Sequence, residues 1–238
     1  MAAAIQPLKF LTVSPRSKHT ATVIFVHGLG DTGHGWKPVA DMFRTDPGLS
    51  HVKWVLPHSP TRAVTANMGM EMPSWFDILS FGFDSPDDEQ GMLQSVHSLN
   101  SLISSEIDNG IEASNIVLGG FSQGGAMSLL TGLTTERKLA GLVIMSGWLP
   151  LKNKFKSMTS AHANTVPIFW GHGTEDPLVK YQFALSSVQF LKSQIKVPEA
   201  DGTSIRGLSF NSYPGVGHST NQKELDDLRE WLKKALPQ

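Results

Sequence analysis

NIVLGGFSQGGAMSLL, residues 115–130, decides the fold of this chain. Its first residues are apolar and β-branched, which is typical of a short buried strand, and its last residues begin a helical pattern. Between them, Gly120 to Gly124 match the pattern G-x-S-x-G, which places a serine on a sharp turn from a strand into a helix. The glycines on either side of Ser122 let the neighbouring segments approach closely. The stretch therefore predicts a nucleophilic Ser122, with a glycine-rich turn and a capping serine as the alternative.

Short apolar runs alternate with helical patterns along the rest of the chain. Residues 87–107 carry apolar side chains at helical spacing and end at Asn109-Gly110, and residues 225–236 carry a leucine stripe. Strands that alternate with helices predict a mostly parallel sheet with helices on both faces. We therefore expect a single α/β-hydrolase domain over residues 1–238, with no large separate lid domain. The runs that predict strands are 21–26, 52–56, 115–119, 139–145, 166–170 and 208–213.

The composition restricts the function classes. The 238 residues are 40% hydrophobic and 17% charged, with a formal net charge of −1, which predicts a full-sized core and no nucleic-acid-binding face. Cysteine is absent, which excludes disulfides and thiolate–zinc sites. No apolar run is long enough to predict a transmembrane segment, and residues 1–13 lack a signal-peptide pattern. We expect a cytoplasmic protein, with the nucleus as a further location, that uses no metal and no cofactor.

The partners of Ser122 follow from chain order. A serine hydroxyl needs a positioned base, and in this fold the acid and then the base follow the serine. Asp176 lies just past the fifth predicted strand and is the preferred acid, with Glu175 as the alternative. The base must follow the acid, which leaves His218, directly after the last predicted strand. We therefore predict a triad of Ser122, His218 and Asp176, and expect His172 to belong to the turn that aims the acid.

The turn after the strand at 21–26 carries the candidate oxyanion hole. A His-Gly turn at this place can present one backbone N–H to the acyl oxygen, and the residue after the nucleophile presents another. The predicted donors are the N–H groups of Leu29 and Gln123, whose side chains are expected to matter little. A phosphate-binding loop would need a Walker pattern or a full G-x-G-x-x-G, and neither is present.

Residues 57–83 have little periodicity and many methionine and aromatic side chains. A structureless loop of this length inside a compact domain is usually functional, and methionine adapts to irregular apolar surfaces. The loop is predicted to line a groove for a long acyl chain, with simple packing onto the sheet as an equal alternative. Asp31 is expected to brace the site, and bracing is also the favoured role of Trp75. The candidate acyl contacts are Trp75, Ile78, Leu79, Phe81, Trp148 and Leu178.

Several motifs together resemble the acyl-protein thioesterase group, in the lysophospholipase/carboxylesterase family of α/β-hydrolases. The resemblance covers nearly the whole chain, and the motifs are specific as a set rather than singly. They are HGLGDTG at 27–33, PSWFD at 73–77, GGFSQGG at 119–125, LAG at 139–141, WLP at 148–150 and DPLV at 176–179.

The resemblance implies hydrolysis of S-acyl (palmitoyl) groups from protein cysteines, with lysophospholipids and small esters as further substrates. It implies the same triad and the same two oxyanion donors. The partners would be S-acylated proteins, reached by transient contact of the apolar loop with a membrane surface, and the chain is expected to be a monomer or a weak homodimer. The chain departs from animal members, which carry an acylatable cysteine near the N-terminus, and the loop at 198–207 looks longer than usual.

Two other functions remain open. A small-molecule carboxylesterase would use the same triad on short esters. A catalytically silent α/β-hydrolase that binds a ligand would keep the fold, although the intact serine, aspartate and histidine argue against it. A metallohydrolase is disfavoured because the sequence has no H-E-x-x-H motif.

Overall fold

The computed structural model describes residues 7–80, 86–202 and 204–238. The strands within these residues form a main sheet of seven and a separate hairpin of two. The strands are β1 (Phe10–Val13), β2 (Ala21–Val26), β3 (Val52–Pro57), β4 (Thr61–Val64), β5 (Met70–Pro73), β6 (Ile116–Phe121), β7 (Gly141–Met145), β8 (Ile168–Gly173) and β9 (Leu208–Tyr213). The helices are α1 (Gly33–Phe43), α2 (Glu89–Asp108), α3 (Gln123–Thr134), α4 (Lys152–Met158), α5 (Tyr181–Phe190) and α6 (Gln222–Ala235).

The main sheet has the strand order β1-β3-β2-β6-β7-β8-β9. Strand β1 pairs with β3 in antiparallel register, and all other neighbours in the sheet are parallel. The predicted fold class, an α/β-hydrolase fold with a mostly parallel sheet, is therefore confirmed. None of the described helices is long and apolar enough to cross a membrane.

The core has one layer on each face of the sheet. Alternate residues of β2 point to opposite faces, so that Ile24 packs into one layer and Phe25 into the other. Helices α2, α3 and α5 contribute to the first layer, and α1 and α6 to the second. This double burial explains why the central strands are continuous apolar runs in the sequence.

Residues 57–80, the described part of the region 57–83, are more ordered than the sequence predicted. They contain the antiparallel hairpin of β4 and β5, in which Thr61 pairs with Pro73 and Val64 with Met70. The expectation of a loop without secondary structure was therefore wrong for this part. The two strands have four residues each, and half of these eight residues are exposed, so the strands lack the buried apolar run that marks the strands of the main sheet. The short edge strand β1 escaped prediction for the same reason.

Glu224 is an ionisable residue that is buried in the core. It lies in the first turn of α6, where its N–H donates to the Asn221 side chain at 2.8 Å, and its own side chain is fully buried. Neither of its carboxylate oxygens has a hydrogen-bond partner among the described residues. Burial, together with the charge of nearby Asp227, raises the pKa of Glu224 to about 8. The folded protein therefore holds this carboxyl in its neutral form at neutral pH.

We expect Glu224→Gln to stabilise the protein above neutral pH. In the unfolded chain the carboxyl titrates near 4.5, whereas in the folded chain its pKa is about 8. Between these values the folded state binds more protons, so the free energy of unfolding falls as pH rises. Each unit of pKa difference corresponds to about 1.4 kcal/mol, so the variant should gain a few kcal/mol over the wild type at pH 8 and almost nothing near pH 4.5.

Urea unfolding at several pH values measures this effect. Glu230→Gln, on the exposed side of the same helix, is the matched control and should leave the pH slope of the wild type unchanged. Parallel stability curves for Glu224→Gln and the wild type across this pH range would contradict a protonated buried carboxyl.

Candidate active site

Ser122 occupies a strained turn between β6 and α3. Its backbone angles are φ 55° and ψ −120°, a conformation that L-residues rarely adopt. The flanking glycines make the turn feasible, because a Cβ on Gly120 would lie 2.5 Å from the backbone of Gly124. A Cβ on Gly124 would lie 2.1 Å from the Val26 carbonyl oxygen. The strand–turn–helix setting predicted for the G-x-S-x-G motif is therefore present.

A chain of two hydrogen bonds joins the three predicted triad residues. The Nε2 atom of His218 lies 2.9 Å from the Ser122 hydroxyl oxygen. The Nδ1 atom of His218 lies 2.7 Å from Oδ2 of Asp176. The parallel sheet produces this meeting, since all three residues follow strands whose carboxyl ends lie at one edge. The arrangement can pass a proton from the serine hydroxyl to the imidazole and orient the ring with the carboxylate.

Asp176 sits in a turn that is itself hydrogen-bonded. Its Oδ1 accepts the N–H groups of Leu178 at 2.9 Å and Val179 at 2.8 Å. Burial alone would raise the pKa of Asp176, but the hydrogen bonds from His218 and from these backbone groups lower it overall. The buried His172 donates from Nε2 to the Val179 carbonyl at 2.8 Å, and burial lowers the pKa of its ring. The turn thus presents an ionised carboxylate in a fixed direction.

Glu175, the alternative acid, is placed differently. It is exposed, whereas Asp176 is buried, and its side chain makes no hydrogen bond with the rest of the described chain. The Glu175 backbone N–H donates to the Val216 carbonyl at 3.0 Å. This residue therefore ties two loops together through its main chain, and its carboxylate is not in contact with His218.

The two predicted oxyanion donors belong to segments next to Ser122. Gly28 lies against the serine, since a Cβ built on Gly28 would be 3.3 Å from the Ser122 Cβ atom. Gln123 is the first residue of α3, where N–H groups have no partner within the helix. Neither the Leu29 N–H nor the Gln123 N–H has a hydrogen-bond partner in the described part of the chain. Both groups are available to a negatively charged oxygen.

The Gln123 side chain corrects the expectation that side chains matter little here. It is fully buried, and its Nε2 donates to the Phe76 carbonyl at 2.8 Å and to the Ser74 hydroxyl at 3.0 Å. Its Oε1 accepts the Trp75 N–H at 2.9 Å. The residue therefore attaches segment 74–76 to the start of α3. A single sequence gives no sign of these contacts, because the partners lie about fifty positions away.

Trp75 braces the site from behind. Its side chain is fully buried, its Nε1–H donates to the His27 carbonyl at 2.9 Å, and it does not line the cavity at Ser122. The hydroxyl of Ser95 on α2 donates to the Trp75 carbonyl. As a candidate acyl contact Trp75 is therefore incorrect, and the bracing role favoured from the sequence describes it better.

A cavity of about 670 Å³ opens beside Ser122 and His218. Four of the candidate acyl contacts line it: Ile78, Leu79, Trp148 and Leu178. Phe81, also a candidate, lies outside the described residues. Phe76, from the loop at 57–83 that was predicted to line the groove, also lines the cavity. Further apolar walls come from Phe121, Val179 and Phe183, which were not among the candidate acyl contacts.

The methionines of the hairpin do not contribute to the cavity. Met68 is 90% exposed and Met70 is 54% exposed, and neither lines its wall. The prediction that they form part of an acyl groove was therefore wrong. Among the described residues, no group of three or more histidine, cysteine, aspartate or glutamate side chains is arranged to hold a metal ion.

Comparison with known proteins identifies the family. The family model described as Phospholipase/Carboxylesterase matches residues 8–236. The chain belongs to this family. Acyl-protein thioesterase 1 of Cryptococcus neoformans is 53% identical over 235 residues, covering 96% of this chain and 98% of the relative. Acyl-protein thioesterase 1 of Mycosarcoma maydis is 43% identical over 241 residues, covering 97% of this chain and 98% of the relative.

Solved structures agree with this assignment. Zea mays acyl-protein thioesterase 2 superposes with a TM-score of 0.82 at 30% identity, covering 96% of this chain and 99% of that one. Arabidopsis thaliana SOBER1 gives a TM-score of 0.82 at 34% identity, covering 91% of this chain and 99% of that one. The resemblance predicted from the sequence motifs is confirmed, and this member of the phospholipase/carboxylesterase family is a hydrolase.

Proposed function

We propose that the chain hydrolyses S-acyl thioesters on protein cysteines through an acyl-enzyme intermediate on Ser122. The observation that carries the proposal is the hydrogen-bond chain from Ser122 to Asp176, which ends at the mouth of an apolar cavity. The names of its relatives, acyl-protein thioesterases, support a thioester as the bond that is cleaved.

The triad geometry supports a two-step reaction. In the first step the Ser122 oxygen attacks the acyl carbon while Nε2 of His218 takes its proton. His218 then gives this proton to the sulfur as the C–S bond breaks, so the cysteine leaves as a thiol and the ring is neutral again. In the second step His218 removes a proton from water, the resulting hydroxide attacks the ester, and the proton returns to Ser122 as the fatty acid leaves. Asp176 keeps the proton of the neutral ring on Nδ1 and stabilises the imidazolium in both steps.

The tetrahedral oxygen of each step would receive two hydrogen bonds. Leu29 lines the cavity at Ser122, Gln123 directly follows the serine, and neither N–H has a backbone hydrogen-bond partner among the described residues. Such donors act on charge that develops only in the transition state, and the loss of one typically costs about 10² to 10³ in turnover.

The cavity supports a long acyl chain as the preferred group. Each buried methylene contributes roughly 0.8 kcal/mol, so an apolar cavity of this size favours a long chain over an acetyl group by a large factor. We infer that Ile78, Leu79, Trp148 and Leu178 contact the chain, and Phe81 remains a prediction from the sequence alone. S-acylated proteins are then the partners, and lysophospholipids are further substrates of the same cavity.

Leu79→Asp should shift the chain-length profile. Leu79 lines the cavity and is 41% exposed, so a carboxylate there stays hydrated while it removes apolar contact with the chain. We expect kcat/KM for a long-chain thioester to fall about tenfold, equivalent to roughly two lost methylene contacts, and to fall much less for an acetyl ester.

Leu185→Asp is the matched control for this substitution. Leu185 is 36% exposed and does not line the cavity, so both rates should stay at the wild-type level. An equal loss for long and short substrates in Leu79→Asp would remove Leu79 from the acyl groove.

We also propose that the protein acts in the cytoplasm, with the nucleus as a further location, and meets membrane-bound substrates by transient surface contact. Leu79 and Leu178, at the cavity, are exposed apolar residues, which suits contact with lipid. Liposome flotation tests this contact, and binding that is unchanged by polar substitutions at Phe81 and Phe83 would count against the notion that the loop mediates it. A monomer or a weak homodimer is the expected oligomeric state.

The proposed activity is tested by comparing an S-palmitoyl peptide with short p-nitrophenyl esters. We expect kcat/KM to be far higher for the palmitoyl thioester. Strong hydrolysis of short esters with none of any long-chain thioester would instead support a small-molecule carboxylesterase. A fluorophosphonate probe distinguishes these two enzymes from a catalytically silent ligand-binding protein. Either enzyme would be labelled at Ser122, whereas the silent protein would not.

A further inference from the structure

His27 is a fully buried histidine that the mechanism above leaves without a role. The Ser59 backbone N–H donates to its Nε2 at 3.1 Å, and its Nδ1 lies 2.7 Å from the Gly28 carbonyl oxygen. A backbone N–H can only donate and a carbonyl oxygen can only accept. The ring must therefore accept at Nε2 and donate from Nδ1. Burial lowers the pKa of His27, in agreement with a neutral ring in this tautomer.

The carbonyl that His27 holds belongs to the peptide group that carries the Leu29 N–H. The C=O and N–H of a trans peptide point in opposite directions, so a bond that fixes the oxygen also fixes the direction of the N–H. Gly28 is in contact with the nucleophile, 3.3 Å from the Ser122 Cβ to a Cβ built on the glycine. Rotation of this peptide would therefore turn the predicted oxyanion donor away from the acyl oxygen.

Other contacts near this peptide hold it less directly. The Asp31 N–H also donates to the Gly28 oxygen, but at 3.3 Å, which is a long bond. The Trp75 indole donates to the carbonyl of His27 itself, at 2.9 Å, and so fixes the preceding peptide group. The bond from Nδ1 of His27 is thus the shorter of the two hydrogen bonds that the Gly28 oxygen accepts within the described part of the chain.

We propose that His27 is a positioning residue of the oxyanion hole, whose neutral Nδ1–H tautomer fixes the Gly28–Leu29 peptide with its N–H toward the substrate. The inference rests on the proposed function, since it assumes that Ser122 attacks an acyl group held at this peptide. The predicted donors to the acyl oxygen are backbone N–H groups, and the His27 side chain would fix the direction of one of them.

Two substitutions separate the donor from the bulk of the ring. His27→Asn places an amide nitrogen where Nδ1 stands and so can keep the bond to the Gly28 oxygen. His27→Phe keeps the ring and loses both hydrogen bonds. We expect His27→Phe to lower kcat on a p-nitrophenyl ester about 10²-fold with little change in KM, and His27→Asn to retain about tenfold more activity than His27→Phe.

A trifluoromethyl ketone provides a readout that a purely structural role would not move. Its adduct with serine carries the tetrahedral oxyanion, so its inhibition constant should rise by the same factor as kcat/KM falls across the variants. The proposal would be overturned if both variants bound the ketone as tightly as the wild type does. It would also be overturned if the two variants lost activity equally and in proportion to their loss of thermal stability.

Nitrogen NMR of the wild-type chain, labelled at histidine, tests the inference without relying on a folded variant. The His27 ring, assigned by through-bond correlation, should be neutral and should carry its proton on Nδ1. An Nε2–H tautomer or a charged ring at neutral pH would overturn the proposal. A wild-type chain with no Ser122-dependent turnover would instead refute the proposed function, which distinguishes the two failures.

Discussion

Ser122→Ala is expected to reduce turnover of any ester or thioester by at least about 10⁴-fold, because Ser122 is the serine that is hydrogen-bonded to the base His218. The hydroxyl oxygen lies 2.9 Å from Nε2 of His218, so its removal leaves the base without the proton that it would take. Binding of substrate should persist, since the cavity and the two free backbone N–H groups are unchanged. Stopped-flow or steady-state assays with a long-chain thioester measure the loss.

Ser128→Ala is the matched control. Ser128 is a fully buried serine on α3, the same helix that Ser122 precedes, and it makes no contact that the mechanism uses. Its substitution should leave kcat near the wild-type value and cost at most some stability. A Ser122→Ala protein that keeps a substantial fraction of wild-type activity, after removal of contaminating hydrolases, would refute the nucleophile.

Asp176→Asn should lower kcat by about 10⁴-fold while the protein stays folded. An asparagine can still accept the N–H groups of Leu178 and Val179 through its oxygen, so the turn keeps its bonds. Its amide nitrogen then faces His218, at the position where Oδ2 now lies 2.7 Å from Nδ1. Because that nitrogen donates, the neutral ring must carry its proton on Nε2 and can no longer accept one from Ser122.

Glu175→Gln decides between the two acids. The Glu175 side chain is exposed, and the carboxylate bonded to His218 is that of Asp176. We therefore expect Glu175→Gln to change kcat less than about twofold, compared with a loss of about 10⁴-fold in Asp176→Asn. A large loss in Glu175→Gln with little loss in Asp176→Asn would reverse the assignment. Thermal unfolding of both variants controls for loss of fold.

The parts of the fold that could be predicted are those governed by local pattern. Strands β2 and β9 lie where the apolar runs placed them, and helix α2 ends beside Asn109 and Gly110 as expected. Chain order also predicted which three residues form the triad, and these residues meet because parallel strands have their carboxyl ends at one edge of the sheet. Burial on both faces makes such strands visible in a single sequence.

The parts that escaped depend on distant contacts. The β4–β5 hairpin is half exposed and has only four residues in each strand, so it carries no buried apolar run. The Gln123 side chain bonds to segment 74–76, and His27 bonds to Ser59, across separations that no local pattern encodes. The methionine-rich composition of the loop suggested an acyl groove, yet Met68 is 90% exposed. Composition does not show which way the side chains of a hairpin point.

The central claim, that Ser122 carries a fatty acyl group in transit, can be observed directly. The wild-type chain is mixed with an S-palmitoyl peptide, quenched in acid within the first turnover, and digested for mass spectrometry. The account predicts a palmitoyl ester on the peptide that contains Ser122, and neither adduct nor palmitate release with Ser122→Ala. Palmitate release by Ser122→Ala at the wild-type rate, or an acyl group on another residue that turns over during the reaction, would contradict it.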